Sequence, residues 1–484
     1  MCVCAPFACT HYAKIAIYPR LYSYTFINFA GRKQGLEDMT GLIGKYGKNY
    51  SSLLKLALPI IVGQLGGIIT GLADTIMVGQ HSTAELAASS FVNNVLNAFI
   101  IFGTGFSFAL TPLVGENLAR DKKYVVSAWL KNGIVANLLL SLLLMAILTV
   151  VYFNVEHFGQ PAELLPLIKP YFLVSMVSII FVMLANSFRQ FVEGITNPSV
   201  SMWILVTGNL LNIFGNYLLI YGKCGLPEMG LMGAGYSTLI SRIFMFVMFV
   251  LVFLFRPSYK VYRKGFMRMW VLPNRLMRVT KLGVPIAFQQ GLEAATFSLT
   301  AIMVGWLGSI ELAAHQVVIA ISTISFTTYL GLGSATAIRT SFFKGARDWK
   351  QVRKTTVAGI HLGVIVSTLT CLALFIFRNQ ISFVFSDDPQ VAIFVIMLLP
   401  ILMLYQYVDG AQIVLANALR GLSDVKPIMW ISFITNFLIA IPAGYLLGFP
   451  FGLGIRGIWL AYPIGFVFSV ALLGIRARKL MNRQ

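Results

Sequence analysis

Twelve long apolar runs follow one another along this chain, at roughly 53–79, 88–112, 126–153, 166–190, 199–221, 230–255, 280–306, 312–338, 355–377, 390–416, 427–447 and 456–475. A run of about 20 mostly apolar residues is what a helix needs to cross the hydrocarbon layer of a bilayer. The runs are too long for the strands of a membrane barrel and do not alternate as such strands must. Only 11% of the 484 residues are charged, against about 25% in a soluble domain. A disordered chain, a coiled coil and an ordinary soluble enzyme are thereby excluded. The expected fold class is an all-α integral membrane protein with twelve transmembrane helices.

Lys and Arg number 37 and Asp and Glu 17, a formal net charge of +20. In a soluble protein this would point to nucleic acid. Here the bases sit in short loops after even-numbered runs: Arg120, Lys122, Lys123 and Lys131 after the second, Arg339, Lys344 and Arg347 among those after the eighth. Loops after odd-numbered runs offer only Lys169, Lys223, Arg378 and Arg456. By the positive-inside rule the even loops and both termini are cytoplasmic, and no nucleic-acid partner is expected. Membrane lipid is the expected surrounding, with no obligate protein partner.

The chain also repeats itself. "KLALPI" at 55–60 matches "KLGVPI" at 281–286, and "IMVG" at 76–79 returns at 302–305, both 226 residues on. "MWI" at 202–204 returns at 429–431, and Asn209 matches Asn436, both 227 on. Each repeat holds six runs, an even number, so the two enter the membrane in the same sense. That is the parallel-repeat design: two six-helix lobes about a pseudo-twofold axis along the membrane normal, with the substrate site between them. The expected divisions are an extension and lead-in (1–50), an N-terminal lobe (51–255), a basic linker (256–279), a C-terminal lobe (280–476) and a tail (477–484). Residues 1–38, which include Cys2, Cys4 and Cys9, resemble nothing later in the chain. They lack the pattern of a secretory signal, and Met39 is the expected natural start.

An ionisable residue inside a span is a functional candidate. Three acids qualify: Asp74, Glu293 and Asp409. None is repeated, since Asp74 maps to Thr300 and Glu293 to Gly67. Around Glu293, Gln289, Thr296 and Thr300 fall on one helical face with Gln290 alongside; around Asp409 stand Tyr405, Gln406 and Gln412. Such polar stripes are expected to face a wet cavity; the other reading is a neutral carboxyl that links helices by hydrogen bonds. Asp74 shares a face with Gly67, and Asn212, Asn216, Tyr236 and Thr238 lie in the fifth and sixth runs. A carboxylate, two amides and a hydroxyl suit a proton or a hard cation, although an Asn pair serves equally as helix–helix glue. Arg242 reads as a structural or snorkelling base, and Arg189 with Glu193 as a solvated pair near a helix end. No P-loop, HExxH or CxxC is present, so no nucleotide or metal cofactor is expected and the energy source is expected to be an ion gradient.

"LADTIMVGQ" closing the first run, "NIFGNYLLIYG", "QQGLEAATF" and "YQYVDGAQ…LRGLSD", together with the repeat, resemble the multidrug and toxic compound extrusion (MATE) family in its bacterial NorM-type branch. The likeness runs from about residue 50 to the C-terminus. It implies a secondary antiporter in the bacterial inner membrane that expels lipophilic organic cations in exchange for Na⁺ or H⁺. It further implies a cation site at Glu293 and Asp409 and an N-terminal-lobe site at Asp74, Asn212, Asn216 and Thr238. The family's tyrosine at the cation site aligns here with Phe326, Tyr329 standing one turn on, which leaves the coupling ion open between Na⁺ and H⁺. The alternatives are a lipid-linked oligosaccharide flippase, for which a cavity with several bases is expected, and a membrane-embedded transferase, for which no reactive cluster is found.

Overall fold

The structure, a computed structural model, describes residues 44–378, 380 and 388–482. The expected start at Met39 and the extension before it lie outside these. The chain divides into a unit Met1–Ser51 and a compact unit Ser52–Gln484 that holds both six-helix halves. Among the described residues, eleven helices are long and apolar enough to cross a membrane. They are α1 (Gly44–His81), α2 (Thr83–Ala119), α3 (Lys123–Phe153), α4 (Ala162–Gly194), α5 (Pro198–Ile220) and α6 (Gly230–Phe255), then α8 (Ser309–Gly345), α9 (Trp349–Ile376), α10 (Pro389–Gly421), α11 (Val425–Gly448) and α12 (Gly454–Asn482). The twelfth span is α7 (Pro273–Gly305), 33 residues long. Its stripe of Gln289, Gln290, Glu293, Thr296 and Thr300 dilutes the apolarity that marks the other eleven.

Side chains sort as bilayer helices require. In α3, Leu139, Leu143, Ile147 and Val150 form one exposed apolar stripe at helical spacing. Asn132, Asn137 and Ser141 of the same helix are buried, where Asn137 accepts from Ser107 at 2.7 Å. In α9 the exposed stripe is Ile365, Leu369 and Ile376, each 226 residues beyond its α3 counterpart. Apolar residues thus face outward and hydrogen-bonded polar ones inward, the reverse of a soluble bundle.

The repeat is visible in the backbone. Among the described residues, five non-glycine residues adopt positive φ, and four pair at the repeat offset: Asp121 (53°) with Arg347 (59°), and Thr196 (64°) with Ser423 (62°). That conformation strains an L-residue, so its return in both halves marks one backbone used twice. The contact between halves repeats as well. Gly105 of α2 lies against Ala287 of α7, a Cβ there coming 3.0 Å from the Ala287 Cα. Gly331 of α8, 226 residues on, lies in the same way against Ile61 of α1. Gly115 and Ser341, also 226 apart, touch one another, so α2 and α8 cross on the pseudo-twofold axis there.

Below that crossing, on the side of the basic even loops, Glu116 of α2 is held at 2.9 Å by Arg120 and at 3.1 Å by Lys344 of α8. Arg120 Nε donates to the Gly345 carbonyl at 3.3 Å. The basic linker is docked rather than free. Tyr259 and Tyr262 are buried, and Lys131 Nζ donates to the carbonyls of Phe266 (3.2 Å) and Met269 (3.0 Å) where the short helix Lys260–Arg268 ends. Carbonyls left open at a helix C-terminus favour a cation.

Candidate functional site: two cavities and the charges that line them

The first cavity lies within the N-terminal half and measures about 480 Å³. Asp74 of α1, Asn212 of α5, and Thr238 and Arg242 of α6 all reach it, as do Asn93, Asn94 and Asn97 of α2. The Gly67 and Gly71 stripe leaves α1 open toward this space. Asn216 donates to Asp74 Oδ1 from outside the cavity wall. The Asn212 amide, turned with its nitrogen toward Asp74, donates at 2.9 Å, and its oxygen accepts from Thr238 Oγ1 at 3.2 Å. The four residues singled out in the sequence therefore form one hydrogen-bonded cluster. Tyr236 does not join them: it is 37% exposed on the outer side of α6. Two residues along a helix turn a side chain by about 200°, so Thr238 and Tyr236 point apart. Arg242, read as a structural or snorkelling base, lines the same cavity and donates to Ser178.

The second cavity, about 330 Å³, lies between the halves. Gln64, Thr104, Phe108 and Arg189 line it from the N-terminal half; Gln290, Glu293, Phe326 and Tyr405 line it from the C-terminal half. Of the other residues expected on its wall, none reaches it. Gln289 and Gln412 lie behind Glu293 and donate to its Oε1 at 3.1 and 3.2 Å. Thr296 is buried, its hydroxyl bonded to the Leu292 carbonyl. Gln406 and Asp409 are buried inside the C-terminal half. The expected stripe on α7 thus straddles a boundary: Gln290, Glu293 and Phe297 look into the cavity, while Gln289 and Thr296 turn into the bundle. At about 100° per residue these positions span an arc of about 120°, so one edge of the face meets the cavity while the other edge meets the bundle.

Asp409 keeps Oδ2 without a hydrogen-bond partner, as do Gln406 Oε1 and Gln412 Oε1. Buried oxygens of this kind are costly unless something fills them. Asp409 and Glu293 are near enough to repel each other when both are charged. A proton or a small hard cation bound between two carboxylates removes such repulsion. Among the described residues no group of three or more His, Cys, Asp or Glu gathers as a metal centre. Phe326, the aligned residue, lines the cavity without an oxygen to offer. Tyr329 is fully buried instead, its hydroxyl 2.9 Å from Ser367 Oγ.

Two features were not read from the sequence. Arg420, at the end of α10, is 3% exposed. Its guanidinium donates to Asn417 Oδ1 at 3.0 Å and to Gln289 Oε1 at 3.2 Å, and its charge lies 4.9 Å from the centre of the Phe108 ring. Phe108 sits where α2 breaks between its segments Thr83–Ser107 and Leu110–Ala119. Arg189 and Glu193, expected in solvent, are instead paired at 2.8 Å beside the central cavity, Glu193 buried and Arg189 half-buried. Glu193 and Arg420 line one small space beneath it.

Comparison with known proteins follows this geometry. The MatE family model matches residues 59–218 and 285–446, two stretches that begin 226 residues apart. The chain belongs to the MatE family. Its relatives in the MATE family include multidrug resistance protein NorM of Photobacterium profundum, 30% identical over 439 residues that cover 90% of this chain and 96% of that protein. Multidrug resistance protein MdtK of Proteus mirabilis is 30% identical over 441 residues, covering 89% and 96%. The fold matches a eukaryotic MATE transporter with a TM-score of 0.82 at 19% identity, over 91% of this chain and 99% of that one. An outward-facing MATE family transporter matches equally, at 0.82 and 18%, over 90% and 96%. This MATE-family chain is accordingly a multi-pass membrane protein of a transporter family, not of an enzyme family.

Proposed function

We propose that this protein is a secondary multidrug exporter that antiports lipophilic organic cations against Na⁺ or H⁺ by alternating access between its two halves. The observation that supports it is the placing of the acids. Glu293 opens onto the cavity between the halves, and Asp409 sits behind it with an unsatisfied oxygen. An anionic side chain in a low-dielectric cavity attracts an organic cation strongly. The apolar wall of Ile101, Phe297, Ile319 and Phe326 suits the drug's body, and Tyr405 and Phe297 offer ring faces to its charge. An ion taken up at Asp409 and Glu293 neutralises the site and weakens the hold on the drug. Exchange follows from that reciprocal coupling. Gln289 and Gln412 donate to the Glu293 carboxylate, and Arg420 fixes Gln289 in turn by donating to its Oε1. The even loops and both termini face the cytoplasm of a bacterial inner membrane in this reading. The Glu116–Lys344 pair then closes the cytoplasmic side of the state described here.

The test uses purified protein in liposomes loaded with a fluorescent lipophilic cation. A Na⁺ pulse and, separately, an acid pulse are applied, and dye movement against its own gradient is followed. Movement under one pulse supports antiport and names the ion. Silence under both, with folded protein, overturns it and favours a lipid-linked substrate.

A further inference from the structure

Residues 256–281, the linker and the opening turns of α7, hold eight Lys and Arg and no Asp or Glu. Orientation in a membrane asks for bases in such a loop but not for a fixed scaffold, and this loop is fixed. Tyr259 and Tyr262 are buried, and Gly265 packs where a Cβ would come 3.0 Å from the Tyr124 Cα of α3. Asn197 donates to the Tyr259 hydroxyl at 3.2 Å, and the Leu272 N–H donates to Asn132 Oδ1 at 3.1 Å. Just beyond, Arg275 and Arg278 both lie over the Trp129 ring, 5.9 and 5.7 Å from its centre. Among the described residues none of the eight bases enters an ion pair. Asp121, an acid whose charge reaches Tyr262, is already paired with Lys123 at 3.1 Å. Two guanidinium groups on one ring repel each other, and the start of α7 adds the positive pole of its dipole. An anion relieves both.

The outer side of the linker carries a second chemistry. Lys260, Lys264 and Arg268, four apart, form one exposed stripe on the short helix Lys260–Arg268. Lys264 lies about 200° around that helix from the buried Tyr262. Beside the stripe Met267 is 72% and Trp270 81% exposed. Both ends of the linker are span ends, since α6 stops at Phe255 and α7 starts at Pro273. The surface within its reach is the bilayer's own. We propose that the docked linker and the start of α7 bind the phosphate headgroups of anionic phospholipids, with the bases on the phosphate and Met267 and Trp270 against the apolar part of the lipid. Bases next to exposed apolar side chains are the pattern of a segment that lies on an anionic bilayer. A soluble phosphate ester gains nothing from Met267 and Trp270, and a choline headgroup brings an ammonium that the bases repel. Because the scaffold is already fixed, little freedom is lost on binding. The proposal concerns lipid binding, and it stands or falls apart from the antiport reading.

The test is native mass spectrometry of the full-length protein in detergent, titrated with phosphatidylglycerol, with phosphatidylcholine of the same chains and with glycerol phosphate. The wild type is expected to hold phosphatidylglycerol at least tenfold more tightly than phosphatidylcholine. Joint replacement Lys264→Gln and Arg268→Gln is expected to weaken phosphatidylglycerol about 30-fold, the loss of two bases at a membrane surface, and to leave phosphatidylcholine unchanged. Arg275→Gln with Arg278→Gln is expected to act in the same direction, and Trp270→Ala to weaken both lipids alike. Lys350→Gln with Arg353→Gln, an exposed pair at the start of α9, is the control and is expected to change the preference less than threefold. Thermal melting confirms folding, and the exposed pair at 264 and 268 carries the test should the variant at 275 and 278 unfold. An equal fall in the control pair overturns the proposal, because overall charge then sets the preference. So does glycerol phosphate binding as tightly as phosphatidylglycerol, because a soluble anion then suffices.

Discussion

Thr196 and Ser423 hold the same left-handed turn 227 residues apart, yet three positions before them stand Glu193 in one half and Arg420 in the other. The two halves share a backbone and differ in the charges mounted on it. Glu193 is served within its own half by Arg189 at 2.8 Å. Arg420 is served within its half by Asn417 and Gln289, and it lies over Phe108, whose counterpart in the repeat is Ser334. The same divergence holds deeper in the bundle. The N-terminal half keeps Asp74 and Arg242 on an open polar cavity. The C-terminal half seals Asp409, Gln406 and Gln412 away with oxygens unsatisfied, and of the acids Asp409 and Glu293 it brings Glu293 to open space. Even the matched helices differ: α5 is regular, whereas α11 widens to π turns over Ile434–Ala440, beside the buried and half-satisfied Asn436. In the reading proposed above the ion site falls to the C-terminal half alone, a difference between the halves that duplication by itself would not give.

If the charges at 193 and 420 needed only to complement each other across the axis, exchanging them would be harmless. The expected result is the opposite. Arg420→Glu places a carboxylate against the Gln289 carbonyl oxygen and near Glu293, and Glu193→Arg sets two guanidinium groups one turn apart. Each single change is expected to cost about 3–5 kcal/mol, the penalty for stranding a buried charge. The double exchange is expected to add the two penalties, as independent sites do, as read by thermal unfolding in detergent. Recovery toward wild type in the double exchange would show that the halves pair through these two residues.

Export sharpens the contrast next. Glu293→Gln and Asp409→Asn are each expected to lower ion-driven dye movement by about 100-fold, near the upper end of ordinary coupling energies. In Asp74→Asn the response to Na⁺ or H⁺ pulses is expected to keep its midpoint. The same liposome assay reads all three. Loss of the ion response in Asp74→Asn, with Glu293→Gln unaffected, would reverse the assignment of the halves.

The fold was legible because hydropathy and loop charge report directly on the bilayer, and because the 226–227 offset survives in short identities such as "IMVG" and "MWI". Spacing put Asn212 and Asn216 on one helix face; that they meet Asp74 and Thr238 of two other helices is what the family resemblance implied. What spacing could not resolve was which side of a face meets open space, hence the errors at Gln289, Thr296, Gln406, Gln412 and Tyr236. Arg420 was missed for another reason: it ends a span, in "LRG", where bases ordinarily snorkel to water. The repeat offset was the available signal, since it places Arg420 on Glu193 and Gly421 on Gly194. Arg189 and Glu193 were misread likewise, because a helix end in sequence need not be a helix end in solvent when the opposite half covers it.

The smallest effect concerns where the halves touch. Glu116 is shared by Arg120 of its own helix and Lys344 of the other half, and Lys344 also donates to Ser423 at 3.3 Å. Its mate in the repeat is Phe342, which carries no charge, so this closure is one-sided. A half-buried pair of this kind is worth about 1 kcal/mol. Glu116→Gln is therefore expected to shift the balance between closed and open on the even-loop side by about fivefold toward open, without unfolding the protein. Spin labels at Lys122 and Lys350, both exposed, report the separation of the two loop ends. The variant is expected to gain population at the longer distance, and Lys344→Met to gain it to a similar degree. Arg120→Met is expected to do less, because its own ion pair lies within one helix and only its bond to the Gly345 carbonyl spans the halves. Equal shifts in all three variants would mean that the Gly345 carbonyl bond matters as much as the Glu116–Lys344 pair, and that the closure is not carried by the charge alone.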